Sequence, residues 1–244
     1  MIKYAHKEAA DMNYQNVFKR YEFKYILDKT QYEMIQNAMK GHMTIDEYGK
    51  STIYNIYFDT PDDLLVRRSI EKPVYKEKLR LRSYGIAKSD SITYIELKKK
   101  YESVVYKRRI SATYRAAMDY LINGVKFEDS QISREIDYFM EFYKDIRPVQ
   151  AISYERYAYY DNAGSDFRVT FDTNILARDY DLSLIKKPEG KPVLDEEKIL
   201  MEIKTGAAIP LWMCETLSKN RIYKTTFSKY GTAYVNNFRR KKSC

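Results

Sequence analysis

Charged residues recur on alternate positions in five stretches of this sequence, and most of them are basic. They are Glu22 and Lys24; Lys76, Lys78, Arg80 and Arg82; Glu96, Lys98 and Lys100; Arg156 with Arg168 and Asp172; and Glu202 with Lys204. Side chains on a β-strand alternate between faces, so each stretch aims its charges one way and its Phe, Tyr, Ile and Leu the other. One such strand describes an ordinary solvated face. Five of them, rich in arginine, describe a cationic wall. Arg80-Leu81-Arg82 is the sharpest local pattern, because residues i and i+2 point two planar guanidinium forks in one direction, a geometry suited to phosphate. Glu202-Ile203-Lys204 and Glu22-Phe23-Lys24 each set a carboxylate beside an ammonium, a pattern equally at home in a cross-strand ion pair.

The composition narrows the chemistry. Forty-three Lys and Arg against 34 Asp and Glu give a net charge of +9, which attracts polyanions without choosing among nucleic acid, anionic membrane, nucleotides and polyphosphate. Two histidines, His6 and His42, make histidine acid-base or zinc chemistry a poor expectation. The cysteines, Cys214 and Cys244, have no metal-ligand spacing and form no disulfide framework, which fits a reducing cytoplasm. The polar first 16 residues lack the apolar core of a signal peptide, and nowhere do 18 apolar residues run together, so the expectation is a cytoplasmic protein. With 44% apolar residues, 15% of the chain aromatic and 25 tyrosines, there is ample material for one folded domain of 244 residues. The tyrosines read as amphipathic packing and the basic run Arg239 to Lys242 as a solvated end, not as a nucleic-acid site.

The elements that must position the charges follow from pattern. Strands are predicted over 18–27, 51–58, 74–84, 91–101, 103–110, 148–160, 167–172 and 198–205, with a turn at Asp161-Asn162-Ala163-Gly164. Helices are predicted over 30–40, 63–69, 113–122, 130–143, 210–219 and 228–236, the first capped by Asp28 or Thr30 and stopped by Gly41. The fold class is therefore α+β, an antiparallel β barrel of about eight strands with flanking helices. Eight strands leave room inside for one small ligand. A cationic face turned inward would need an anionic filling, supplied by Glu22, Glu96, Glu202, water and a phosphate-rich ligand. The expected organisation is a mobile extension over 1–17, one domain over 18–236 and a basic tail over 237–244.

Taken together these segments resemble a family. Tyr21-Glu22-Phe23-Lys24-Tyr25, Ile56-Tyr57-Phe58-Asp59, Leu79-Arg80-Leu81-Arg82-Ser83-Tyr84-Gly85, Glu96-Leu97-Lys98, Ser153 to Tyr160, Arg168 to Asp172, Met201-Glu202-Ile203-Lys204 and Phe227-Ser228-Lys229-Tyr230 occur in the order of the VTC domain, the polyphosphate polymerase domain within the triphosphate tunnel metalloenzymes. The resemblance implies a tunnel in which the γ-phosphoryl of ATP passes to a growing polyphosphate chain, assisted by Mn2+ or Mg2+. It makes Lys24, Arg80, Arg82, Lys98, Arg156, Arg168 and Lys204 the catalytic cationic wall, and Glu202 the metal ligand. Arg68, Lys78, Ser228, Lys229 and Glu22 become further phosphate-binding positions, with Arg68 preferred over Arg67.

Two departures from the family pattern bear on function. Arg20 stands where the hydrolytic branch carries the first of two glutamates, which argues against a two-carboxylate site for activating water. Thr226 stands where the polymerase has a lysine, and Lys224 two residues earlier leaves open whether that cation is replaced. A non-catalytic module that binds polyphosphate, triphosphate or a nucleotide, and an inorganic triphosphatase, are the alternative readings. Eukaryotic members of the family carry an inositol-phosphate sensor domain and transmembrane helices that this sequence does not show, and whether a membrane-protein partner receives the polymer stays open. No specific nucleic-acid partner is expected, and the oligomeric state stays open.

Overall fold

The computed structural model describes residues 21–102 and 104–242, with side chains through 237. The extension over 1–17, Arg20 and the side chains of the basic run after Phe238 lie outside the described residues. Eight substantial strands follow the charge alternation: β1 (Tyr21–Leu27), β2 (Met43–Asp59), β3 (Tyr75–Tyr84), β4 (Ile92–Tyr101), β5 (Val104–Thr113), β6 (Arg147–Asp161), β7 (Arg168–Arg178) and β9 (Ile199–Thr205). Two-residue strands β8 (Lys191–Pro192) and β10 (Lys224–Thr225) complete one antiparallel sheet in the order β10-β1-β9-β7-β6-β2-β3-β4-β5, with β8 on β7. Six helices accompany it: α1 (Lys29–Met39), α2 (Leu64–Ile70), α3 (Tyr114–Asn123), α4 (Gln131–Tyr143), α5 (Leu211–Lys219) and α6 (Lys229–Lys242). Helix α6 thus continues through residues that the sequence set apart as a tail.

The hydrogen-bonded path does not close, since β5 and β10 end it. Side chains join its two halves instead: Lys98 Nζ on β4 lies 3.3 Å from Glu22 on β1, 76 residues away. The sheet is thus curled into a trough with an ionic seam rather than a fully laddered barrel.

The alternation sorts residues as period 2 requires. Leu79, Leu81, Ile95 and Leu97 face outward and are fully buried under α3 and α4 with Ala117, Leu121, Ile136 and Phe139. Val169, Phe171, Met201 and Ile203 do the same under α1 and α5 with Ile35 and Met213. Local capping fixes where these helices begin. Asp28 and Gln31 form a reciprocal capping box on α1, Ser130 and Ser133 do so on α4, and Gly124 at φ 70° ends α3.

The inner face is not cationic throughout. Farther along the strands it carries Ile26, Ile53, Ile152 and Leu200, which with Tyr57 and Tyr154 form a third core against Tyr230 and Ala233 of α6. Helix α6 therefore lies inside the curl rather than covering it. Buried Asp59 ties it there: the carboxylate accepts from the amides of Leu65 and Val66 at 2.8 and 2.9 Å, capping α2, and from the Tyr230 hydroxyl at 2.7 Å. A Leu81→Ala substitution is expected to cost about 2–5 kcal/mol of stability in a denaturant titration, as buried leucine truncations do. Tripolyphosphate affinity should stay unchanged, because Leu81 faces the opposite way from Arg80 and Arg82.

Candidate anion-binding site

The remaining inner surface encloses a cavity of about 890 Å³ lined by Glu22, Lys24, Lys78, Arg80, Arg82, Lys98, Arg156, Arg168, Glu202, Lys204, Ser228 and Lys229. Of the site positions that the resemblance implies, one is set apart. Arg68 is exposed on α2, beside Tyr143 on the outer side of β3, and is not among the cavity-lining residues. Lys224 does not replace the cation missing at Thr226. It is exposed on β10 with Nζ 4.9 Å from the Phe23 ring, and Phe23 faces away from the cavity.

Strand pairing explains how the cations are held. Arg156 lies opposite Asp172 on β7 and engages it with both arms of its fork, at 2.6 and 2.7 Å. Arg80 lies opposite Glu96 on β4 and reaches it at 2.6 and 2.7 Å, while its NH1 donates to Tyr57 at 3.3 Å. Arg82 donates to Asn55 and to the Tyr154 hydroxyl at 2.9 and 3.1 Å. Fully buried acids thus aim the guanidinium groups, which keep some donors for a ligand. On the opposite side, Lys24 faces Glu202, and Glu22 faces Lys204, across β1 and β9. Glu202 takes ion pairs from Lys229, Lys204, Arg156 and Lys24 at 3.0, 3.1, 3.4 and 3.9 Å. Lys229 also reaches Asp172 at 2.5 Å. Lys24 Nζ donates to the Phe227 carbonyl at 3.2 Å and Lys78 Nζ to Ser228 Oγ at 3.1 Å, which seats the start of α6 against the cavity.

Several cavity residues escaped the sequence reading. Lys107 and Arg109 on β5 both pair with Glu96, while Arg108 between them turns outward to Glu135 on α4. Three consecutive cations conceal the alternation that the structure reveals. Tyr57, Tyr154 and Tyr230 also line the cavity, indistinguishable in sequence from the other tyrosines.

Charge regulates protonation throughout. Burial alone would raise Glu22, Glu96, Asp172 and Glu202, yet neighbouring lysines and arginines outweigh it and hold all four below the ordinary carboxylate range. Burial and the cations Lys24, Lys98, Lys76 and Arg80 push Lys78 down to about 7. Lys107 falls to about 8, chiefly through burial. A bound polyanion would restore the proton to Lys78, so tripolyphosphate binding above pH 7 is expected to take up protons and to weaken as pH rises toward 9. Calorimetry in buffers of different ionisation enthalpy measures that uptake, and Lys78→Met should remove part of it while Lys107 supplies the rest. The sign for stability follows: between pH 7 and 10.5 the unfolded chain binds the Lys78 proton and the folded one does not, so this group makes stability rise with pH there.

An antiparallel trough whose inner wall carries a converging set of lysines and arginines, most of them paired with an acid, defines a tunnel-type anion-binding protein. The chain belongs to the VTC domain family, whose model matches residues 19–237. Among curated proteins no sequence matches significantly. In fold it is similar to a candidate adenylate cyclase from Bacillus halodurans, at 13% identity over 87% of this chain and 95% of that one, with a TM-score of 0.56. It is also similar to a candidate adenylyl cyclase from Hippeastrum in which a triphosphatase activity is dominant, at 13% identity over 89% of this chain and 96% of that one, TM-score 0.51. The protein is thus a polyphosphate- or triphosphate-related tunnel protein. No helix among the described residues is long and apolar enough to cross a membrane.

The tunnel metalloenzyme fold implies a divalent cation. Among the described residues no three His, Cys, Asp or Glu side chains converge on one point. Glu96 and Asp172 are taken up by Arg80, Lys107 and Arg109 and by Arg156 and Lys229, and neither is among the residues lining the cavity, so they do not suit a metal there. Glu202 and Glu22 do: both line the cavity, both are held ionised, and they lie diagonally across β1 and β9. A hard cation of the Mg2+ type is held by one or two carboxylates, with phosphate oxygens and water as its other ligands.

Proposed function

We propose that this chain is an ATP-dependent polyphosphate polymerase, moving the γ-phosphoryl of ATP onto the end of a polyphosphate chain inside the cavity. One observation carries the choice of reaction. Glu22, Glu96, Asp172 and Glu202 are held below the ordinary carboxylate range by cations, which makes them poor bases for taking a proton from water. The terminal phosphate of a chain is already anionic and needs no such base.

Phosphoryl transfer depends mostly on positioning and on neutralising spread charge. Lys24, Arg80, Arg82, Lys98, Arg156, Arg168 and Lys204 would take phosphate oxygens along the wall, and Lys78, Ser228 and Lys229 would hold the chain at the start of α6. The buried acids fix the arginine forks in advance, so little reorganisation accompanies the transfer. Attack by the chain terminus on the γ-phosphorus breaks its bond to the bridging oxygen and releases ADP. Mn2+ or Mg2+ on Glu202 and Glu22 would supply charge neutralisation at phosphate oxygens.

Hydrolysis of tripolyphosphate is the second reading, favoured by the activity of the Hippeastrum relative. Incubating the protein with ATP and Mn2+ separates the two. The polymerase reading expects ADP together with a ladder of lengthening polyphosphate on a gel; free phosphate without a ladder contradicts it.

A further inference from the structure

Strands β3 and β4 carry like charges directly opposite one another. Lys78 faces Lys98, and one rung farther out Lys76 faces Lys100. Side chains directly opposite on paired strands are close neighbours, and like charges there are destabilising. Elsewhere on the inner wall an acid offsets nearly every cation, but no acid among the described residues pairs with Lys76, Lys78 or Lys100. Lys76 is satisfied only by the Ser69 carbonyl at 3.3 Å. Burial, then Lys100, Lys24, Lys98 and Lys72, hold its ammonium below the ordinary lysine range. Lys76 and Lys100 are not among the residues lining the cavity, yet they share the phase of Lys78 and Lys98, which are. The outer rung lies about 6.6 Å beyond the inner one, two residues of strand rise.

We propose that this ladder binds the part of an inorganic polyphosphate chain that extends beyond the cavity, making Lys76 and Lys100 determinants of chain length. The proposal rests on reading the cavity as a phosphate-chain site. A linear chain of closely spaced anions suits paired ammonium groups with no apolar surface between them. Single-stranded nucleic acid, by contrast, gains from aromatic platforms. Beside Lys76 and Lys100 the inner phase offers none: Tyr75 and Tyr101 take the opposite phase, and the tyrosines that share the ladder's phase on these strands, Tyr84 and Tyr94, stand at the far end past Arg80 and Glu96.

The test compares affinities of the whole protein for tripolyphosphate, long inorganic polyphosphate and a single-stranded oligonucleotide at fixed pH and ionic strength. A K76Q/K100Q double variant is expected to lose about tenfold in affinity for long polyphosphate, the scale of two partly screened charge contacts, and less than about twofold for tripolyphosphate. A K186Q/K187Q variant, which removes the same charge from the loop between β7 and β8, should retain long-chain affinity. Equal losses for short and long chains, no loss, or an equal loss in the K186Q/K187Q control would overturn the proposal. A loss confined to the oligonucleotide would also overturn it, in favour of nucleic acid. Failure of the unmodified protein to bind tripolyphosphate would sink the reading of the cavity instead, and the ladder would still be judged by the long-chain comparison.

Discussion

Replacing Glu202 by glutamine is expected to reduce ADP release from saturating ATP and Mn2+ by about 10²–10³-fold, the scale seen when one group that stabilises transferring charge is removed. The side chain keeps its shape and loses its charge. Four cations, Lys229, Lys204, Arg156 and Lys24, then lose a shared partner within 3.0 to 3.9 Å. Their charge turns toward the ligand, so calorimetric affinity for tripolyphosphate should hold or tighten. This split between turnover and binding separates an enzyme from a binding module, which would show no turnover to lose. Full turnover in Glu202→Gln would remove Glu202 from the reaction.

The largest stability effect is expected at Glu96. Its side chain is 1% exposed and serves Arg80, Lys107 and Arg109 directly, with Arg82 at 3.8 Å. Glu96→Gln leaves these charges together without a counterion, and breaking a buried pair this way costs about 3–5 kcal/mol. Denaturant midpoints measure the loss. Tripolyphosphate should restore part of it, because a ligand that binds only the folded state stabilises by mass action. The pH dependence has a fixed sign. Burial opposes ionisation of Glu96, but Arg80, Arg82, Lys107 and Arg109 hold it well below the ordinary range. Its contribution is therefore present above the unfolded carboxylate value, about 4.3, and fades as pH falls below it toward the folded one. The gap between wild type and Glu96→Gln should close in acid. A gap that persists unchanged at pH 2 would mean that lost packing, not lost charge, explains the variant.

Strand β3 was legible because Lys78, Arg80 and Arg82 share one phase and Leu79 and Leu81 the other, so local alternation carried its orientation. Strand β5 was legible as a strand but not as part of the site, since Arg108 breaks the pattern that Lys107 and Arg109 would make. The first half of β2 was missed altogether: residues 43–50 are mostly polar, and only pairing with β6, broken in register between Ile45 and Lys50, makes them a strand. Asp172 stood out as a charge, but its work as the clamp of Arg156 depends on a cross-strand register that no short window contains. The placement of α6 was hidden for the same reason. Ile26, Ile53, Ile152 and Leu200 look like ordinary strand residues until the curl gathers them around Tyr230 and Ala233. Local phase told which way side chains point; which of them meet was a property of topology.

The central claim is that the inner wall holds a linear phosphate chain, and a crystal structure of the protein with tripolyphosphate tests it most directly. The three phosphates are expected inside the curl, touching Arg80, Arg156, Arg168 and Lys204, with their near end at Ser228 and Lys229. Tripolyphosphate found only on the outer surface, with the inner wall still closed on its own ion pairs, would contradict it.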